Sequence, residues 1–161
     1  MFSGVVGDHV LPPVFLEGAF NAERYREVLR NEVTDFVDNL PLQDIATLIY
    51  QQDGHPAHRA RESIAAVREI FGWRWLGIGS ELHEWPPRSP ELTIMDFFVW
   101  GHIKTKLSEY GRAANVDELK ENIRRAFRTI TPAMLAGARR SFMKRVALCL
   151  EEDGGHFEQL L

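Results

Sequence analysis

Cysteine is nearly absent from this chain: among 161 residues only Cys149 carries a thiol, which excludes an intrachain disulfide and any zinc site built on paired cysteines. Long apolar runs are missing too. No stretch approaches the roughly 20 apolar residues of a membrane-spanning helix, and the opening MFSGVVGDHV has neither the basic flank nor the apolar run of a signal peptide. The expectation is a protein that stays out of membranes and works in a reducing compartment. Internal repeats and low-complexity tracts are also lacking. What is present is ordinary globular composition, with 45% hydrophobic, 26% charged and 11% aromatic residues, in a length that suits one domain.

Basic residues are scarce at the start and crowded in the middle. Residues 1–58 hold 3 basic and 9 acidic groups, residues 59–145 hold 16 and 10, and residues 146–161 carry only acidic ones, Glu151, Glu152, Asp153 and Glu158. The net charge of −4 and the pI near 5.9 therefore conceal a local surplus of +7 between Gly101 and Arg145. Such a stretch can hold phosphate while the rest of the chain repels it.

The first twenty residues, apolar and broken by Gly4, Gly7, Pro12, Pro13 and Gly18, predict two short strands with a turn near Asp8 and His9. Asn21 is placed to cap a helix over 22–39, and Thr47–Gln52 predicts a strand, followed by a tight loop and a helix carrying Ala60, Ile64, Val67 and Phe71. Trp73–Ile78 predicts another strand, and 80–90 a proline-stiffened loop. Helices dominate from Thr93, a candidate cap. Asn115 and Glu118 form a capping-box pattern, Thr131-Pro132 restarts a helix, and Gly154-Gly155 stops it.

Two carboxylates stand out for chemistry. Asp53 ends a β-rich run ahead of a helix, the kind of sheet edge where α/β proteins bind ligands. Asp96 opens a helix, whose dipole favours the ionised form. Hard oxygen donors held this way suit Mg²⁺ and phosphodiester chemistry, although on spacing alone a turn aspartate and a cap aspartate are the better explanation. His55 and His58 either order their proline-containing turn or touch metal or DNA. Trp73, Trp75, Trp85 and Trp100 suit core and loop packing better than base stacking.

The strings QQDGHPAHRAR (51–61) and WPPRSPELTIMDFFVWG (85–101) resemble mariner-type transposases of arthropods, and the resemblance runs from the opening segment to the closing GGHF. It implies an RNase H-like α/β catalytic domain with C-terminal helices, in which three acidic residues hold two Mg²⁺ or Mn²⁺ ions for DNA strand cleavage and joining. By matched position, Asp53 is the second and Asp96 the third of these catalytic, metal-binding aspartates. The chain departs from the family pattern at Glu91, where the family has Asp, and at Ile94-Met95, where it has Pro-Leu.

The family's first aspartate, on its first strand, and its DNA-binding region would both precede Met1. Neither Asp8 nor Glu17 replaces that aspartate by position. The expected organisation is a partial RNase H-like domain over 1–110, truncated at its first strand, then a helical pair with an acidic tail over 111–161. The expected activity is that of a transposase remnant unable to cut, or alternatively of a non-catalytic DNA-binding or transposase-interacting module. Implied partners are DNA, bound non-specifically through His58, Arg59, Arg61, Arg88, Lys104, Lys106, Arg124, Arg125 and Arg128, and a second copy or an intact transposase. The implied location is nuclear.

Overall fold

The computed structural model describes residues 1–86, 89–155 and 157–161. In chain order its elements are strands β1 (Val5–Val6) and β2 (His9–Val10), helices α1 (Ala22–Val28), α2 (Thr34–Asp38) and α3 (Leu42–Thr47), strand β3 (Tyr50–Gln51), helix α4 (Arg61–Phe71), strand β4 (Trp75–Leu76), and helices α5 (Trp100–Tyr110), α6 (Val116–Phe127) and α7 (Pro132–Glu151). Turns of π-helix join α1 to α2 (Leu29–Val33) and lead into α5 (Met95–Val99). The chain divides into two compact units, Met1–Phe2 with Val14–Arg88 and Ser3–Pro13 with Ser89–Leu161.

The first unit is built from matched helix faces. Asn21 caps α1 by accepting the Arg24 N–H at 2.9 Å, which satisfies one of the open donors of a helix start. Tyr25, Val28, Leu29 and Val33 are buried along α1 and its π turn, while Ser63, Ala66, Val67 and Phe71 are buried along α4. Both series step by three, one and four, so each helix presents a single stripe, and the two stripes pack together. An exposed ion pair, Arg30 to Glu69 at 2.9 Å, links the same helices.

Strands β3 and β4 pair in parallel, Tyr50 opposite Trp75 and Gln51 opposite Leu76, with α4 as the crossover that parallel strands require. Both strands are shorter than their composition predicts. Most of 47–52 is lost to the end of α3 and its exit, because the Pro41 carbonyl accepts the N–H groups of Asp44 and Ile45 and starts a helix there. Over 73–78, Gly72 and Gly79 at φ of +63° and +85° bend the chain into and out of β4, leaving two residues to pair.

In the second unit β1 and β2 form the expected hairpin. Gly7 turns it at φ +54°, a conformation that glycine adopts without steric cost. Val99 and Ile103 pack with Ala126 and Phe127 of α6, and Val5 and Val10 of the hairpin close over this core. Asn115 accepts the Glu118 N–H at 2.8 Å, but Glu118 returns its carboxylate to the Ala114 N–H at 2.6 Å rather than to Asn115, a capping box displaced by one residue. Thr131 caps α7 through the Met134 N–H, with Pro132 in the first turn, and Gly154 at φ +81° follows its end. Among the described residues no helix is long and apolar enough to cross a membrane.

His102 of α5 meets Thr129 at 2.7 Å. The threonine hydroxyl gives its single proton to the Ala126 carbonyl, so the His102 Nε2–H donates. Burial, followed by the nearby Lys106, holds this imidazole below its ordinary value of 6.5. The unfolded chain therefore binds the proton first as pH falls, and this contribution to stability is lost from about pH 6.5 downward. Chemical denaturation between pH 7.5 and 5 is expected to show that decline in the wild type and a flatter profile in His102→Gln.

Candidate functional site

Asp53 lies just beyond the carboxyl end of β3, with Gln52 between. Two donors converge on its Oδ1, the His55 N–H at 3.0 Å and the His58 Nδ1 at 2.6 Å. The carboxyl is held below its usual value, first by the bond to His58, against a burial effect that raises it. The Asp53 side chain is 52% exposed and that of His58 only 12%. No bond among the described residues falls on the Asp53 Oδ2. The side chain is thus half exposed and ionised, and the chemistry of this hard oxygen donor fits a divalent cation.

Beneath the Asp53 loop lies a polar network. The buried Tyr25 hydroxyl bonds the Gln52 Oε1 and meets the Tyr50 hydroxyl at 2.9 Å. Gln52 in turn donates its amide to the His58 carbonyl at 3.3 Å. Burial pushes both phenols up, Tyr50 to about 12, so each remains a neutral hydroxyl across the physiological range. A Cβ on Gly77 would stand 2.8 Å from the Gln52 Cγ, so the chain passes close enough to Gln52 that only glycine fits without displacing it. His55 orders the turn, its Nδ1 accepting the Ala57 N–H at 3.1 Å.

Asp96 belongs to the second unit, exposed in the first turn of the Met95–Val99 π segment. Its N–H bonds the Thr93 carbonyl at 2.9 Å. The Thr93 hydroxyl does not cap the helix as expected; it reaches back to the Ser89 carbonyl at 3.4 Å. Arg145 pins the approach to Asp96, donating to the Glu91 carbonyl at 3.1 Å and lying 4.4 Å from the centre of the Phe97 ring. Asp8 is held by Arg139 at 2.7 Å, and Glu17 is exposed in the first unit. Among the described residues no three His, Cys, Asp or Glu side chains cluster as a metal cage.

The basic candidates fall into two groups. In the first unit Arg59 and Arg61 are exposed and form no ion pair among the described residues. Arg88 lies outside the described residues. In the second unit Lys104 is exposed, Lys106 pairs with Glu109 at 2.8 Å, and Glu121 takes both Arg124 at 3.4 Å and Arg128 at 2.9 Å. The Arg125 guanidinium stacks 3.4 Å from the centre of the Tyr110 ring. Exposed pairs of this kind are screened by water and contribute little to stability, so exchanging a carboxylate for a phosphate costs little. Of the tryptophans, Trp75 is buried in the core and Trp73 is largely exposed.

No family model and no curated protein sequence matches the chain. Solved structures do. A structure of the Mos1 transposase catalytic domain with Raltegravir and Mg aligns at a TM-score of 0.73 with 21% identity, covering 88% of this chain and 67% of that one. The corresponding structure with Mn aligns at 0.73 with 22% identity, covering 88% and 68%. The Mos1 mariner transposase catalytic domain alone aligns at 0.73 with 22% identity, covering 88% and 66%. The chain thus spans about two thirds of these neighbours, and its fold is the RNase H-like fold of a mariner transposase catalytic domain.

Proposed function

We propose that this chain belongs to a mariner-type transposase and that Asp53 and Asp96 are metal-binding carboxylates for chemistry on DNA phosphodiesters, in the nucleus. The observation that carries this reading is the Asp53 carboxylate: ionised, half exposed, tied down by one oxygen and open at the other. Bound Mg²⁺ or Mn²⁺ supplies charge stabilisation at a scissile phosphate and an activated attacking oxygen. The chain's own residues present Asp53 Oδ2 and the Asp96 carboxylate, while Arg59, Arg61 and Lys104 offer charge to the DNA backbone.

Two carboxylates hold and position cations less well than three, and Asp8 is already engaged by Arg139. Strand cleavage by this chain is therefore expected to be undetectable, although DNA and Mn²⁺ still bind. The second reading, a non-catalytic DNA-binding module, draws on Arg59, Arg61 and Lys104, which are exposed and form no ion pair among the described residues. Nicking of supercoiled plasmid in Mg²⁺ or Mn²⁺, run beside a gel-shift titration at rising salt, tests both. The expected result is no nicking and a salt-sensitive shift that weakens in an Arg59→Ala, Arg61→Ala variant. Nicking that vanishes in Asp53→Ala would show a competent catalyst and overturn the inactivity. No shift at low salt would overturn the DNA reading.

A further inference from the structure

His58 is placed to do something other than meet DNA. An ionised carboxylate only accepts hydrogen bonds, so the 2.6 Å contact means that His58 Nδ1 donates to Asp53 Oδ1. A single backbone donor, the His55 N–H, would leave the carboxylate able to swing; a second and shorter one fixes its plane. The His58 ring is itself fixed. Tyr25 lies 4.3 Å from it centre to centre, and Phe20 meets it edge-on at 5.7 Å. Its backbone carbonyl is tied to Gln52, which Tyr25 holds in turn. The remaining ring nitrogen, Nε2, is buried with no hydrogen-bond partner among the described residues, so it neither faces solvent nor offers itself to an ion.

We infer that His58 is a positioning residue: it clamps Asp53 by Oδ1 so that Oδ2 alone is presented to a divalent cation. This rests on the metal-binding role proposed above for Asp53. It is the arrangement by which an outer group orients a ligand without touching the metal, and loss of such a group weakens metal binding about 10- to 100-fold. The clamp also separates two uses of one side chain. The ring fills the space between Tyr25 and Phe20, and the Nδ1–H orients the carboxylate.

Substitutions separate the two. Asparagine carries an N–H₂ donor on Cγ, as histidine carries Nδ1, but has no ring to pack. His58→Ala and His58→Asn should therefore lose similar thermal stability, while only the alanine variant loses Mn²⁺ affinity. Calorimetric Mn²⁺ titration of the full chain, with melting curves on the same samples, is the test. His58→Ala is expected to bind about tenfold more weakly than wild type, and His58→Asn to recover most of that loss at an unchanged melting temperature relative to alanine. Affinity in His58→Ala equal to wild type, or His58→Asn no better than alanine, would overturn the inference. An Asp53→Asn control distinguishes the layers: if it too binds Mn²⁺ as wild type does, the metal role of Asp53 falls and the clamp with it. If Asp53→Asn loses affinity and His58→Ala does not, only the clamp falls.

Discussion

Asp96→Asn is expected to lower Mn²⁺ affinity at least tenfold, a loss of about 1.4 kcal/mol, and Asp53→Asn to lower it as much. Both outcomes rest on the metal role proposed for each aspartate, since exchanging a carboxylate for a neutral amide removes the charged oxygen that a hard cation prefers and keeps the shape of the side chain. Asp53 and Asp96 are 43 positions apart in sequence and belong to different compact units, so each variant is titrated by itself. Affinity within about threefold of wild type in either variant would remove that aspartate from the proposed role.

Trp75→Ala is expected to cost about 3–5 kcal/mol, a large part of the roughly 5–15 kcal/mol that holds a domain folded. Trp75 is 1% exposed and heads the fully buried side chains by size. It stands opposite Tyr50 in the parallel pair, takes the Ser80 hydroxyl on its carbonyl at 2.6 Å, and lies where a Cβ on Gly77 would touch its ring. A truncation there opens a cavity that strands of two residues cannot collapse to fill. Urea unfolding followed by fluorescence and circular dichroism measures the change, and a loss below about 1.5 kcal/mol, the size of a conservative core swap, would show that the first unit repacks.

Helices were legible wherever apolar residues recur with one period and a capping residue precedes them, as at Asn21, Asn115 and Thr131. The strands are shorter than the sequence predicts because β-branched and aromatic composition marks only a preference for strand. The number of residues that actually pair depends on glycine turns and on where Pro41 starts α3. Of the candidate residues, Asp53 and Asp96 are visible in their motifs, and so is His58 as a residue type. Its bond to Asp53 is not, because it forms only when the 53–58 loop closes. The network beneath is less visible still: Tyr25 reaches Gln52 across 27 positions, and no local pattern announces a side chain that arrives from another helix. The basic surplus is plain in the charge count, whereas Glu121 occupies two arginines at once only through the helical spacing that brings them together.

The π turn at Met95–Val99 solves a problem of phase. In a regular α-helix each residue advances about 100°, so Asp96 would lie only about 60° from Val99 and about 20° from Ile103 around the axis. Those two side chains are buried at 0% and 3% exposure. An aspartate on their stripe would be driven into the core. A π turn, with one more residue per hydrogen-bonded ring than an α turn, unwinds the helix just where Asp96 and Val99 must part company, so the carboxylate emerges into solvent while the stripe that follows stays inside. Deleting one residue from this segment would restore an ordinary helix at the cost of the aspartate's direction.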